Sequence, residues 1–162
     1  IKQQYFSGDD HFSCHEKDST QSNQFGFILI IIFELPVMHL LLHFIWSPFV
    51  ANITTGITLI GLVFFIAEYK AISIRPISIT STSLIIRYGI WNPLCVPLTE
   101  IESIELNSSF IRRAGHVKRY NLAGNPNVKI ELNTGNVIYI GVDSPSDFIL
   151  ALEKHQQLTT IN

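Results

Sequence analysis

Three groups able to carry a proton or hold a metal ion stand inside the most apolar stretch of the chain. The segment FELPVMHLLLHF, Phe33 to Phe44, contains Glu34, His39 and His43. The two histidines are four residues apart, which sets both imidazoles on one face of a helix and matches the spacing of a two-ligand metal site. At about 100° per residue, Glu34 points roughly 140° away from His39, so a straight helix does not join the carboxylate and the imidazoles in one ligand set. Pro36 lies between them without an N–H to donate, and a kink there would change that angle.

A charged side chain at the centre of a membrane helix costs about 2.5–3.5 kcal/mol on insertion scales. The simplest escape is a protonated Glu34, hydrogen-bonded to a partner, with both histidines neutral. The residues favour a role in locking helices together. A proton or ion relay and a metal site on His39 and His43 stay open as alternatives. Catalysis has least support, because no HExxH, GxSxG or paired-Asp pattern occurs, and nothing in the chain calls for a cofactor.

Two further clusters carry polar chemistry. DDHFSCHE, Asp9 to Glu16, offers Asp9, Asp10, His11, Cys14, His15 and Glu16, but the spacing follows no zinc pattern and a solvated tail is the preferred reading. Between Ser108 and Asn127, Arg112, Arg113, Lys118 and Arg119 share one segment with Phe110, Ile111 and Tyr120. Such charges gain about 1 kcal/mol each at an anionic membrane surface, although an ordinary solvated loop explains them equally well. Nucleic acid is not the expected partner, since the aromatic neighbours do not repeat as a stacking platform.

These groups must be positioned by an unevenly built chain of 162 residues. From Phe25 to Tyr69 only Glu34 and Glu68 are formally charged. Residues 1–24 carry two lysines against four acids, while residues 70–162 carry nine basic residues against seven acids. An acidic tail, an apolar middle and a mildly basic C-terminal part fit a membrane protein better than a soluble enzyme. Cys14 and Cys95 lie in unrelated segments, which predicts reduced thiols and no disulfide framework. The first residue is Ile1 rather than Met, so either an N-terminal piece is removed or the sequence is partial, and the sequence leaves open whether helices precede it.

The pattern predicts a polar tail or connector over 1–24 and a transmembrane hairpin over 25–71, with spans at about 25–46 and 50–69. Folded about Phe49 and Val50, the hairpin sets Glu34 level with Phe65, His39 with Ile60 and His43 with Gly56. Thr54, Thr55 and Thr58 then offer partners to the histidines, while Glu34 needs one from another helix or subunit. Glu68 is expected to reach water or Lys70. Ser47 to Asn52 contain no Lys or Arg, whereas Lys17, Lys70, Arg75 and Arg87 flank the spans, so both ends face the cytoplasm.

After Ile74 the signal becomes strand-like. Roughly six strands are expected, the clearest being NVKIEL–NTG–NVIYIGV, where alternating apolar positions flank a turn. In DSPSDFILALEKH, Ser144 or Asp143 caps a helix with Pro145 in its first turn and Phe148, Ile149 and Leu152 facing the core. Gly89 marks a bend, and Trp91 is read as core rather than as a membrane-facing anchor.

The strand pair ISITSTSLIIRYG, then VPLTEIESIEL, then the last hairpin leading into DSPSDFILALE, together resemble the bacterial pleckstrin-homology-like domain over roughly Arg75 to His155. The upstream block is similar to a group of uncharacterised bacterial membrane proteins, carried here by Glu34, Pro36 and His39, then Glu68 and Tyr69, then Arg75 and Pro76. The resemblance implies an α+β chain: a hairpin in the inner membrane, then an antiparallel split β-barrel with a C-terminal helix over 72–157, and a tail over 158–162. It brings no catalytic residue. The expected role is a non-enzymatic interaction or assembly module, its partners being the bilayer, anionic headgroups and a protein or a second copy. A small transporter or metal-handling protein using Glu34, His39 and His43 is the alternative.

Overall fold

A computed structural model describes residues 6–161 apart from Arg113 and Leu122, without the side chains of residues 159–161. The architecture is mixed α+β: two long apolar helices, two sheets of four strands each, and a C-terminal helix, with no closed barrel.

The helices are α1 (Thr20–Ile45) and α2 (Pro48–Ile74). The turn between them is tighter than expected. Pro48 does not sit in a loop but opens α2, where its missing N–H and fixed φ cost nothing. Ser47, in extended conformation, caps that end by accepting the Phe49 N–H at 3.2 Å. The pairing register therefore slides by about five residues from the expected one. His39 meets Thr55 rather than Ile60, and Phe25 stacks near Tyr69 with ring centroids 6.3 Å apart. Both helices also run past the expected spans at their far ends. Each is long and apolar enough to cross a membrane, and only 6% of each apolar window is buried inside the chain. That separates them from the core helices of a soluble protein, which are mostly buried.

The first sheet is an antiparallel meander of β1 (Asp10–Phe12), β2 (Ile77–Ile79), β3 (Ser83–Ile86) and β4 (Leu94–Pro97). The second has the order β5-β7-β8-β6, built from β5 (Ile101–Leu106), β6 (Val117–Tyr120), β7 (Val128–Leu132) and β8 (Val137–Ile140). The expected hairpin is β7 and β8, with Gly135 at φ +78° in its turn. Two features correct the expectation. VPLTEIESIEL is not one strand: a 3-10 turn over Leu98–Glu100 hands the chain from the first sheet to the second. The strands are not all antiparallel either, because β6 runs parallel to β8. The return that a parallel pair needs is made between them by residues 121–136, which include β7.

Both sheets share one core, with Ile77, Ile79, Leu84, Ile86, Val128, Ile130, Ile138 and Ile140 almost wholly buried. The closing helix α3 (Pro145–Ile161) drops Phe148 and Leu152 into it and runs through the residues expected to be a tail. Gln156 of α3 donates to the Leu98 and Ile101 carbonyls, and His155 meets Asp10 at 2.9 Å, so this helix covers the corner between β1 and β5.

Asp9 to Glu16 do not form a solvated tail. β1 pairs along β2, with Asp10 opposite Ile79 and Phe12 opposite Ile77. Cys14 enters the common core, and the Asp143 carboxylate accepts the N–H groups of Glu16 and Lys17 just before α1. Arg87 is buried among neutral oxygens of Ser7, Pro76 and Ser78, with the Phe6 ring 5.0 Å away. Burial, then the neighbouring Arg75 charge, holds its guanidinium below the ordinary value.

Burial first, and the Asp143 carboxylate second, push the Cys14 thiol up to about 11. The folded chain holds that proton more tightly than the unfolded one. This stabilisation is complete below the ordinary value of 9.0 and is lost as pH climbs toward about 11. Equilibrium unfolding should show a loss of about 2–3 kcal/mol across that window, with a smaller loss in Cys14→Ala. Equal losses in both proteins would contradict the assignment. At pH 8 the exposed Cys95 should react with thiol reagents in the native state, and Cys14 only after unfolding.

Candidate functional site

The hairpin carries a groove of about 260 Å³ on one side. Ile31, Glu34, Leu35, Met38, His39 and Leu42 form its α1 wall, a run at the three-and-four spacing of a single helix face, and Thr54, Thr55 and Thr58 form its α2 wall. Glu34 and His39 stand on opposite shoulders of this face. The wide angle between them, which argued against a shared site, instead lets them border one groove from two sides. His39 Nδ1 and Thr55 Oγ1 hydrogen-bond at 2.8 Å, and Thr58 Oγ1 donates to the Thr54 carbonyl at 2.9 Å. His43 is not among the lining residues; its ring contacts are His39 at 5.9 Å and Phe44 at 5.1 Å. With the shorter turn, Glu34 falls level with Ile60 rather than Phe65. Its side chain is exposed and makes no hydrogen bond or ion pair among the described residues. No group of three or more His, Cys, Asp or Glu side chains able to hold a metal ion forms among the described residues, at this groove or around Asp9 to Glu16.

A second polar arrangement, at the foot of α2, was missed. Glu68 is buried, not turned to water or Lys70, and its carboxylate accepts the Ile90 N–H at 2.9 Å. Seven residues on, and so on the same side, Arg75 donates to the carbonyls of Gly89 (2.6 Å) and Trp91 (3.0 Å). The middle of the β3–β4 loop, Gly89 to Trp91, is thus gripped by the end of α2 and the residue that follows it. Gly89 makes this possible: it has φ +58°, and a Cβ there would lie 1.8 Å from Glu68 Oε1. Trp91 is not core; it is 63% exposed and lies against Phe64 of α2, centroids 6.3 Å apart. The buried Tyr88 hydroxyl has no hydrogen-bond partner among the described residues, and burial with the nearby Cys14 and Glu68 raises its titration above the ordinary range.

The basic segment is divided in use. Arg112 and Lys118 are exposed, and Arg113 lies outside the described residues. Arg119 is engaged locally, donating to the Ile111 carbonyl and to Asn121 Oδ1. Asn121 in turn donates to the carbonyls of Ala123 and Gly124, and Gly124 lies directly on Asp18, two residues before α1. The loop bearing Phe110, 77% exposed, is therefore tied to the foot of the hairpin.

The corner between β4 and β6 is open as a groove of about 220 Å³, lined by Leu94, Val96, Leu132 and Ile138 with Lys118 and Glu100 among its polar neighbours. Its borders do not suit strand addition. The Leu98 N–H bonds the Thr82 carbonyl and the register pairs Val96 with Leu84, so Pro93, Cys95 and Pro97 face outward. Two of these three lack an N–H. On β6 the Val117 N–H is turned back onto the Ala114 carbonyl. Both edges at this corner are thereby blunted against an added strand.

Comparison with family models, with curated proteins and with solved structures finds no match for this chain.

Gly89→Ala should be among the most damaging small substitutions. The left-handed backbone costs about 1–2 kcal/mol with a Cβ, and displacing the buried Glu68 adds the penalty of an unpaired polar group, about 1–3 kcal/mol. Gly135→Ala, at similar φ with open space around it, carries only the first cost. Equilibrium unfolding of both variants should rank Gly89→Ala clearly lower; equal losses would remove Glu68 from the account.

Proposed function

We propose that this chain is a non-enzymatic membrane protein whose α1–α2 hairpin crosses a bilayer and holds the β domain against one face as an interaction module. The carrying observation is the spacing of its aromatic residues. Phe25 and Tyr69 pair at the domain end, while Phe44, Trp46 and Phe49 stand exposed around the turn. Some twenty residues separate the two groups on each helix, about 30 Å at 1.5 Å per residue, which equals the thickness of a hydrocarbon core. Aromatic belts at both interfaces are what such a span favours. The remaining turns of α1, with Gln21, Ser22 and Asn23, fall in the headgroup layer.

Supporting the surface role, Trp91 and Phe110 are exposed apolar rings tied to the foot of the hairpin, and the exposed Arg112, two residues along the chain from Phe110, supplies a charge for anionic headgroups. The lack of basic residues in the turn supports a cytoplasmic domain with both chain ends on that side. Two sheets on one core, with a C-terminal helix over one corner and the other open, are consistent with a pleckstrin-homology-like domain. The alternative, a transporter or metal-handling protein, is favoured only by Glu34 and His39 sharing a groove. Equal metal content in wild type and a His39→Ala, His43→Ala double variant would remove its metal form.

With Phe49→Cys at the turn, a membrane-impermeant maleimide should label intact cells, whereas Cys95 should label only after lysis. Alkaline carbonate should leave the chain in the membrane pellet. Release into the supernatant, or labelling at position 49 only after lysis, would overturn the reading.

A further inference from the structure

We infer that the Glu34 face of the hairpin docks a second copy of this chain, which covers the carboxyl with its own counterpart. The inference rests on the membrane reading above. Glu34 lies near the middle of its span, exposed, beside a groove, with no partner among the described residues. Lipid tails offer neither donor nor acceptor, so something else must meet this group.

Self-association meets it without a new chemistry. Every copy inserts with its β domain on the same side, so a two-fold axis along the membrane normal sets Glu34 at the same depth in both copies. A neutral carboxyl is at once donor and acceptor, and two of them form a self-complementary pair. The threonine wall supplies further hydroxyls at neighbouring depth, and Met38 and Ile31 provide an apolar rim around the contact. Because the domain grips the feet of both helices, pairing the hairpins sets two β domains side by side.

The test uses the full chain in lipid bilayers, labelled at Cys95, with energy transfer followed as protein is diluted into lipid. The wild type should pair reversibly, and Glu34→Gln, which keeps a donor and an acceptor, should pair nearly as well. Glu34→Leu should weaken pairing by about three- to twentyfold, the range of intramembrane hydrogen bonds. In a Cys95→Ser background, oxidation should cross-link Met38→Cys, beside Glu34, and not Leu40→Cys, which is exposed on the other side of α1. A wild type that stays monomeric at every dilution, unchanged pairing in Glu34→Leu, or equal cross-linking at both positions would sink the inference. Those results in a chain that remains inserted defeat this inference alone; a chain that does not insert defeats the membrane reading with it.

Discussion

The contact between Glu68 and the Ile90 N–H fixes how the two halves of the molecule meet. A carboxylate at the end of an apolar helix is costly to bury unless it is hydrogen-bonded, and the β3–β4 loop provides the donor. Arg75 answers from the same side of α2 by taking two carbonyls of that loop, so the foot of the helix contributes an acceptor and a donor to one short segment. α1 is held at its own foot by a different carboxylate, Asp143, which accepts two N–H groups of the segment leading into the helix. With both helices tied to the domain by charge-assisted bonds, neither the direction nor the rotation of the hairpin can change without breaking them.

What was legible in the sequence was what local chemistry decides. The alternation of Val128, Ile130 and Leu132 and the glycine of the turn suffice to make β7 and β8, and the Ser–Pro pair at 47 and 48 is a helix start that the expected loop overlooked. The missed elements depend on partners far along the chain. Nothing in Asp-His-Phe at 10–12 specifies a strand; β2 imposes it, and Cys14 follows into the core. Asp143 looked like a cap for its own helix and instead caps a segment more than a hundred residues away. Glu68 read as an interfacial acid because its partner is a backbone N–H, which leaves no mark in side-chain types. Gly89 was the one available signal, seen as a bend but not as the space an approaching carboxylate needs.

The open corner follows from the same competition between local and distant demands. At Leu98–Glu100 the chain leaves the first sheet before β4 can acquire a second neighbour, and the parallel placement of β6 beside β8 leaves β6 at the far border. Two edges then face a common groove. Pro93 and Pro97 remove donors on one, and a local turn occupies a donor on the other. The corner is therefore ill suited to an added strand. At the opposite corner α3 satisfies the Leu98 and Ile101 carbonyls with one glutamine, which explains why that side is covered.

The two acids of the apolar stretch separate structural from outward-facing chemistry. Glu68, His39 and Thr58 each find a partner within the chain: a loop N–H, a threonine hydroxyl and a helix carbonyl. Among the described residues Glu34 finds none and His43 makes only ring contacts. A polar group satisfied inside one chain stabilises that chain, and its removal leaves a defect there. A polar group that points away from the hairpin and meets no described residue adds nothing to the isolated fold, and in hydrocarbon it works against insertion. Glu34 is thus the acid of the apolar stretch that no described residue meets, which is why the proposed contact is set at its outward face rather than at the histidine beside it.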